Sequence, residues 1–105
     1  MSKGSLNNIA QSIEVIASQY LCIKRIGIFG SYARGDYDET SDIDILYDYN
    51  PKADEATHQF LSFVEDFLDK IKPMEADFIY INNLLEKDDD FKKNALADVK
   101  WLYQA

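Results

Sequence analysis

One cysteine, one histidine, one tryptophan, two prolines and four glycines are spread over 105 residues, and the scarcities exclude whole classes of protein. A single thiol, Cys22 in the apolar run Tyr20-Leu21-Cys22-Ile23, permits neither an intrachain disulfide framework nor a cysteine-built metal site. It reads as a small buried hydrophobe. The lone imidazole, His58, sits between Thr57 and Gln59 and reads as solvated. Long apolar runs are missing too, because Asn7, Asn8, Gln11, Ser12 and Glu14 interrupt the first amphipathic segment. A cytoplasmic setting without membrane contact is the expectation. Basic residues are outnumbered, 11 Lys plus Arg against 19 Asp plus Glu, for a net charge of −8 and a pI near 4.4. Sequence-independent nucleic-acid binding rests on Lys and Arg neutralising phosphates, so no direct nucleic-acid binding is expected. The length suits one domain over residues 1–105 and leaves no room for a separate substrate-binding domain.

What is present is a regular alternation of element types. Leu6, Ile9, Ala10, Ile13, Ile16, Ala17 and Tyr20 fall on one helix face, with Ser5 placed to cap it. Residues 22–29 are rich in β-branched side chains and end at Gly30, as a strand entering a turn does. A polar loop, 31–41, leads to a second strand at 42–49, closed by Asn50-Pro51. Phe60, Phe63, Val64, Phe67, Leu68 and Ile71 mark a second long helix over 53–71, ended by Lys72-Pro73. A third strand follows at 74–81. Asp88-Asp89-Asp90 ahead of Lys92-Lys93 suits the start of a short helix, and 98–103 suits an edge strand. The order predicts an α/β sandwich, one sheet of about four strands with helices packed on one face.

Chemistry concentrates between the first two strands. Gly30-Ser31 closes one, Asp42-Ile43-Asp44 opens the next, and ten residues separate Ser31 from Asp42. Side chains alternate along a strand, so Asp42 and Asp44 project together, about 6 to 7 Å apart at their α-carbons, while Ile43 and Ile45 point to the core. Such a pair suits the bridged metal ions of in-line nucleotidyl transfer, with magnesium the natural cation. Without a cation the two charges repel, and burial of either raises its pKa. Glycine lets the backbone approach a phosphate closely, and the serine hydroxyl can donate to a phosphate oxygen.

Gly30-Ser31, ten residues and Asp42-Ile43-Asp44 together resemble the Gly-Ser-x10-Asp-x-Asp signature of the DNA polymerase beta-like nucleotidyltransferase superfamily. The stretch from Ile26 through Gly35, continued by Ser41 to Leu46, is similar to its small single-domain branch, the MntA-type minimal nucleotidyltransferases. The resemblance covers residues 23–81 well and the tail loosely. It implies the polymerase beta-like single-domain fold with a mixed sheet. It also implies a magnesium-dependent antitoxin of a HEPN/MNT toxin-antitoxin pair, moving AMP from ATP to a tyrosine of the partner HEPN-domain RNase toxin. The family's third carboxylate lies on a later strand. Glu75 and Asp77 share a face there, so alternation cannot choose between them, and the family pattern of an acid before an apolar run favours Asp77. The implied roles are metal ligation by Asp42, Asp44 and Asp77, with Asp77 also assisting deprotonation of the attacking hydroxyl. Gly30, Ser31 and Arg34 would meet the nucleotide.

Several residues carry two readings. Arg34 could contact phosphate or hold the loop through Asp36 or Asp38. Ser41 more naturally fixes a turn than binds nucleotide. Tyr32 and Tyr37 suit packing better than base stacking. The acidic runs Asp36-Tyr37-Asp38-Glu39 and Asp88-Asp89-Asp90 read as solvated. The tail after Ile81 is either a partner-contact surface or plain sheet edge. Two further functions stand beside the enzyme: an antitoxin acting by occlusion alone, and a nucleotidyltransferase for a small-molecule acceptor. Pure binding does not require the full Gly30, Ser31, Asp42, Asp44 and Asp77 set. Small-molecule relatives usually add a helical domain for the acceptor.

Overall fold

The computed structural model describes residues 6–38, 40–72 and 74–105. The expected cap Ser5 and the helix-ending Pro73 lie outside them. The elements run α1 (Leu6–Ala17), β1 (Ile23–Phe29), α2 (Ser31–Arg34), β2 (Ile43–Tyr49), α3 (Ala56–Ile71), β3 (Ala76–Tyr80), α4 (Ile81–Leu85), α5 (Asp90–Asp98) and β4 (Lys100–Gln104). The four strands form one mixed sheet in the order β3-β2-β1-β4. β1 is antiparallel to both β2 and β4, and β2 is parallel to β3. A parallel pair needs a crossover, which α3 supplies. β4 is the edge strand that the tail's alternation suggests.

The two long helices cover one face. Ile26 and Ile28 of β1 and Ile43 and Ile45 of β2 are buried with Ile9 and Ile13 of α1 and Phe63 and Phe67 of α3. The opposite face is also partly covered, which one-sided packing does not anticipate. Phe29, Leu46, Ile81, Leu84 and Ala95 make a second apolar cluster, so α4 and α5 lie across the sheet from the long helices. The cause is visible in the strands, where Ile28-Phe29 and Ile45-Leu46 put apolar side chains on both faces at the same level. Leaving a side chain such as Leu46 in water would forgo about 1.5 to 3 kcal/mol, so a second cover forms.

The boundaries shift for local reasons. α1 ends at Ala17, where the Gln19 and Tyr20 amides donate to the Ile16 and Ala17 carbonyls at 3.1 Å in a tighter turn. Tyr20 therefore reaches the core from outside the helix, edge-on to Phe63, with its hydroxyl donating to Asp66 of α3. α3 begins at Ala56 rather than 53, after a turn in which Glu55 takes a positive φ of 55°. Ile81 leaves the third strand to open α4 because its side chain is buried in the second cluster. Cys22 is free and buried, and burial pushes its thiol pKa up. Gly27 admits β4 closely, since a Cβ there would lie 2.8 Å from Val99 and 2.9 Å from Trp101. Among the described residues no helix is long and apolar enough to cross a membrane.

Candidate active site

The site grows from the corner where β1 ends and β2 begins. Gly30 has φ 73° and ψ −149°, a region open essentially to glycine alone. A Cβ on Gly30 would sit 2.5 Å from Asp44 Oδ2. The glycine and the second aspartate of the motif are therefore one steric unit, with the strand end folded directly over the carboxylate. The chain then makes the single turn α2, which buries Tyr32 and Ala33 and turns Arg34 outward before Gly35 ends it in the left-handed region, φ 86°.

Asp42 stands just before β2, and Asp44 is its second residue, with Ile43 and Ile45 fully buried on the other face. Asp44 is half-buried and Asp42 exposed. In the sheet register Asp44 pairs with Phe29 on the antiparallel side and with Asp77 on the parallel side. Glu75 precedes β3, and its carbonyl accepts the Ile43 amide at 3.0 Å. Burial raises the Asp44 pKa, the charges of Asp77 and Asp42 push it further up, and Arg34 partly offsets them. Three charged groups, Asp42, Asp77 and Arg34, thus act on the one carboxylate of Asp44.

A cleft of about 320 Å³ opens at this corner, lined by Phe29, Gly30, Ser31, Arg34 and Asp44 and, from α5, by Phe91, Asn94, Ala95 and Asp98. Asp42 and Asp77 are not in its lining. Asp77 faces a separate depression of about 410 Å³ shared with Glu75, Met74 and Leu68. Among the described residues no three His, Cys, Asp or Glu side chains gather closely enough to hold a metal ion by themselves. The donor set nevertheless fits a hard divalent cation of the kind held by one or two carboxylates plus the substrate's phosphates rather than by a protein cage. Asp44 and Asp77, side by side in the register of β2 and β3, bring together like charges that such a cation would neutralise.

Arg34 pairs with Asp36, Nε to Oδ2 at 3.1 Å, and with Asp98, Nη1 to Oδ2 at 2.7 Å. Of the two loop partners weighed from sequence, Asp36 engages it. Asp38 does not, since its carboxylate accepts the Thr40 amide and hydroxyl, which lowers its pKa. Ser41 is a turn residue, its hydroxyl accepting the Asp38 amide at 3.0 Å. Tyr32 and Tyr37 stack on each other with ring centroids 4.1 Å apart. His58 is exposed on α3 and away from the cleft lining. Asp89 of the second acidic run caps α5, accepting the Lys92 amide at 3.1 Å. The α5 wall is the part that sequence reading missed. Its helix was legible from the acidic start, but nothing local tells that Phe91, Asn94 and Asp98 return to the first strand end.

A mixed sheet with a Gly-Ser turn at one strand end, and carboxylates at the start of the neighbouring strand, is the framework of a nucleotidyl-transfer domain. Residues 9–102 match the family described as Nucleotidyltransferase domain. The chain belongs to that family and is a nucleotidyltransferase. It is similar to MJ1215 of Methanocaldococcus jannaschii, provisionally named a protein adenylyltransferase, at 42% identity over 64 residues, covering 59% of this chain and 69% of that one. It is also similar to protein adenylyltransferase MntA of Thermococcus cleftensis, 34% identical over 64 residues, covering 59% and 60%. Among solved structures, a toxin-antitoxin crystal structure with AMP-PNP superposes with a TM-score of 0.64 at 18% identity, covering 91% of this chain and 73% of that chain, and so shares the fold.

Proposed function

We propose that this chain is a cytoplasmic antitoxin that acts as one domain, transferring AMP from MgATP to a tyrosine of a HEPN-domain RNase toxin and releasing pyrophosphate. The observation that carries the reading is the corner at which Gly30 closes over Asp44 while Asp77 stands beside it in the sheet register. The adenylyltransferase names of its relatives and the toxin-antitoxin setting of its fold neighbour support the protein acceptor.

In this reading Gly30 and Ser31 receive the phosphate chain, the backbone approaching closely and the hydroxyl donating. Arg34 offers its guanidinium from the cleft wall to phosphate oxygens. Asp42, Asp44 and Asp77 would hold magnesium together with the triphosphate. When bound, magnesium neutralises the phosphates and polarises the α-phosphoryl group. The tyrosine oxygen attacks the α-phosphorus, and its proton passes to the Asp77 carboxylate. The bond from the α-phosphorus to the oxygen bridging to the β-phosphorus breaks, and pyrophosphate leaves. A partner protein that brings its own acceptor also fits a domain whose cleft, about 320 Å³, holds only part of a nucleotide plus acceptor.

Intact-mass spectrometry tests the reading. The protein that co-purifies from the native operon is incubated with MgATP and either this chain or its Asp42→Ala/Asp44→Ala variant. Adenylyl increments on the partner with the unaltered chain alone are expected. A tight complex in which neither protein changes mass would replace catalysis with occlusion.

A further inference from the structure

α5 is anchored from below and acts above. Ala95 is buried in the second apolar cluster, which fixes the helix against the sheet, while Phe91, Asn94 and Asp98 face the cleft. Asp98 is the last residue of α5, where an acid opposes the helix dipole and is a poor choice for the helix itself. Its carboxylate is instead committed to Arg34, 64 residues earlier, at 2.7 Å. Asp36 takes Nε of the same guanidinium at 3.1 Å. A guanidinium has five N–H donors, and these two contacts use one on Nε and one on Nη1. The remaining donors, on Nη1 and Nη2, have no partner among the described residues and belong to a side chain that lines the cleft.

We infer that Asp98 is a positioning residue for the nucleotide: by pairing with Arg34 it holds the guanidinium in the cleft wall beside Gly30 and Ser31, with its unused edge offered to the phosphate chain. A free arginine on a one-turn helix would have to give up its rotamer freedom when phosphate binds, and the two carboxylates remove that freedom beforehand. The pair itself is exposed enough to add little to folding, so its consequence is felt in binding rather than in stability. The tail after Ile81 thereby becomes part of the nucleotide site as well as a sheet edge. The inference rests on MgATP being the donor.

The test is calorimetric titration with magnesium and α,β-methylene-ATP, which resists cleavage at the α-phosphorus, on the full chain and its Asp98→Ala, Asp98→Asn, Arg34→Ala and Asp98→Ala/Arg34→Ala variants. Asp98→Ala is expected to weaken binding about 5-fold to 10-fold, the loss of one hydrogen bond's worth of affinity. Arg34→Ala should weaken it at least as much, and the double variant no more than Arg34→Ala alone. Asp98→Asn, which keeps an acceptor of the same shape, should weaken binding about 3-fold and guards against a folding defect in the alanine variant. Unchanged or tighter binding in Asp98→Ala overturns the inference, tighter binding meaning that Asp98 competes with phosphate for Arg34. Additive losses in the double variant overturn it as well, because Asp98 would then act other than through Arg34. An unaltered chain that binds no nucleotide defeats the MgATP reading itself, and the role of Asp98 falls with it.

Discussion

Asp44 and Asp77 stand opposite one another on the parallel neighbours β2 and β3, whereas Glu75 lies before β3 begins. The register separates two acids that strand alternation leaves equivalent. In the proposed reaction Asp77 takes the proton of the attacking hydroxyl, so Asp77→Asn should lower the rate of adenylyl incorporation by about 100-fold or more, the range typical of losing such a group. Glu75→Gln should stay within a few-fold of the unaltered chain, because the Glu75 contact to β2 is made by its carbonyl and not by its side chain. Initial rates with radiolabelled ATP measure both.

Gly30 is replaceable only at a double penalty. Its φ of 73° and ψ of −149° would strain any other residue by about 1 to 3 kcal/mol. A Cβ would also overlap Asp44 Oδ2 at 2.5 Å, so the carboxylate would have to swing out of its place in the cleft wall. Gly30→Ala should therefore lower the urea midpoint and abolish transfer, whereas Gly35→Ala, with nothing within 4 Å of its Cβ, should meet only the backbone strain. Chemical denaturation of the two variants side by side separates overlap from strain.

The placement of the first two carboxylates was legible because a strand has a period of two, and Ile43 and Ile45 declare the buried face. The two long helices were legible from apolar residues spaced three and four apart, and the first and third strands from short runs of β-branched and aromatic side chains. α2 was not, since four residues bracketed by glycines carry too little periodicity to separate a helical turn from a loop. α4 was not legible either: its first residue, Ile81, closes the run that reads as strand, the rest falls in an irregular tail, and only the packing of Ile81 and Leu84 into the second cluster decides it. The Arg34 to Asp98 pair lies beyond any local signal, because no spacing rule connects residues 64 apart.

Asp44 also sets a conflict between charge and folding. Burial first, then Asp77 and Asp42, raise its pKa in the folded chain. A carboxylate shifted in that direction supports the fold while protonated, below its unfolded pKa, and the support is lost as pH rises through the raised folded value. At neutral pH and without divalent cations the ionised side chain is therefore a burden, and Asp44→Asn should raise the thermal midpoint by about 2 to 6 °C while ending transfer. The gain should shrink as pH falls below the ordinary carboxylate range, where both side chains are neutral. Added magnesium and nucleotide should stabilise the unaltered chain and not the variant. Scanning calorimetry across pH, with and without MgATP, reads all three.

Far from the cleft, Tyr20 ties the end of α1 to α3 through its hydroxyl hydrogen bond to Asp66. That bond, more than the slight burial and the charges of Asp66 and Glu65, raises the Tyr20 pKa from 10.0 to about 12. The sign follows directly. The bond's contribution is complete below the unfolded value of 10.0 and disappears as pH rises through about 12, because a phenolate cannot donate to a carboxylate. The hydroxyl and its partner carboxylate meet at the surface, so screening limits the contribution to roughly 0.5 kcal/mol. Tyr20→Phe keeps the edge-on packing against Phe63 and should lower stability by that amount from pH 6 to 9. Above pH 12 the variant should match or exceed the unaltered chain, whose ionised Tyr20 would then face Asp66 with like charge. Urea titrations at pH 7 and in strong alkali provide the comparison, and an unchanged gap between them would mean that the hydroxyl's partner is water rather than Asp66.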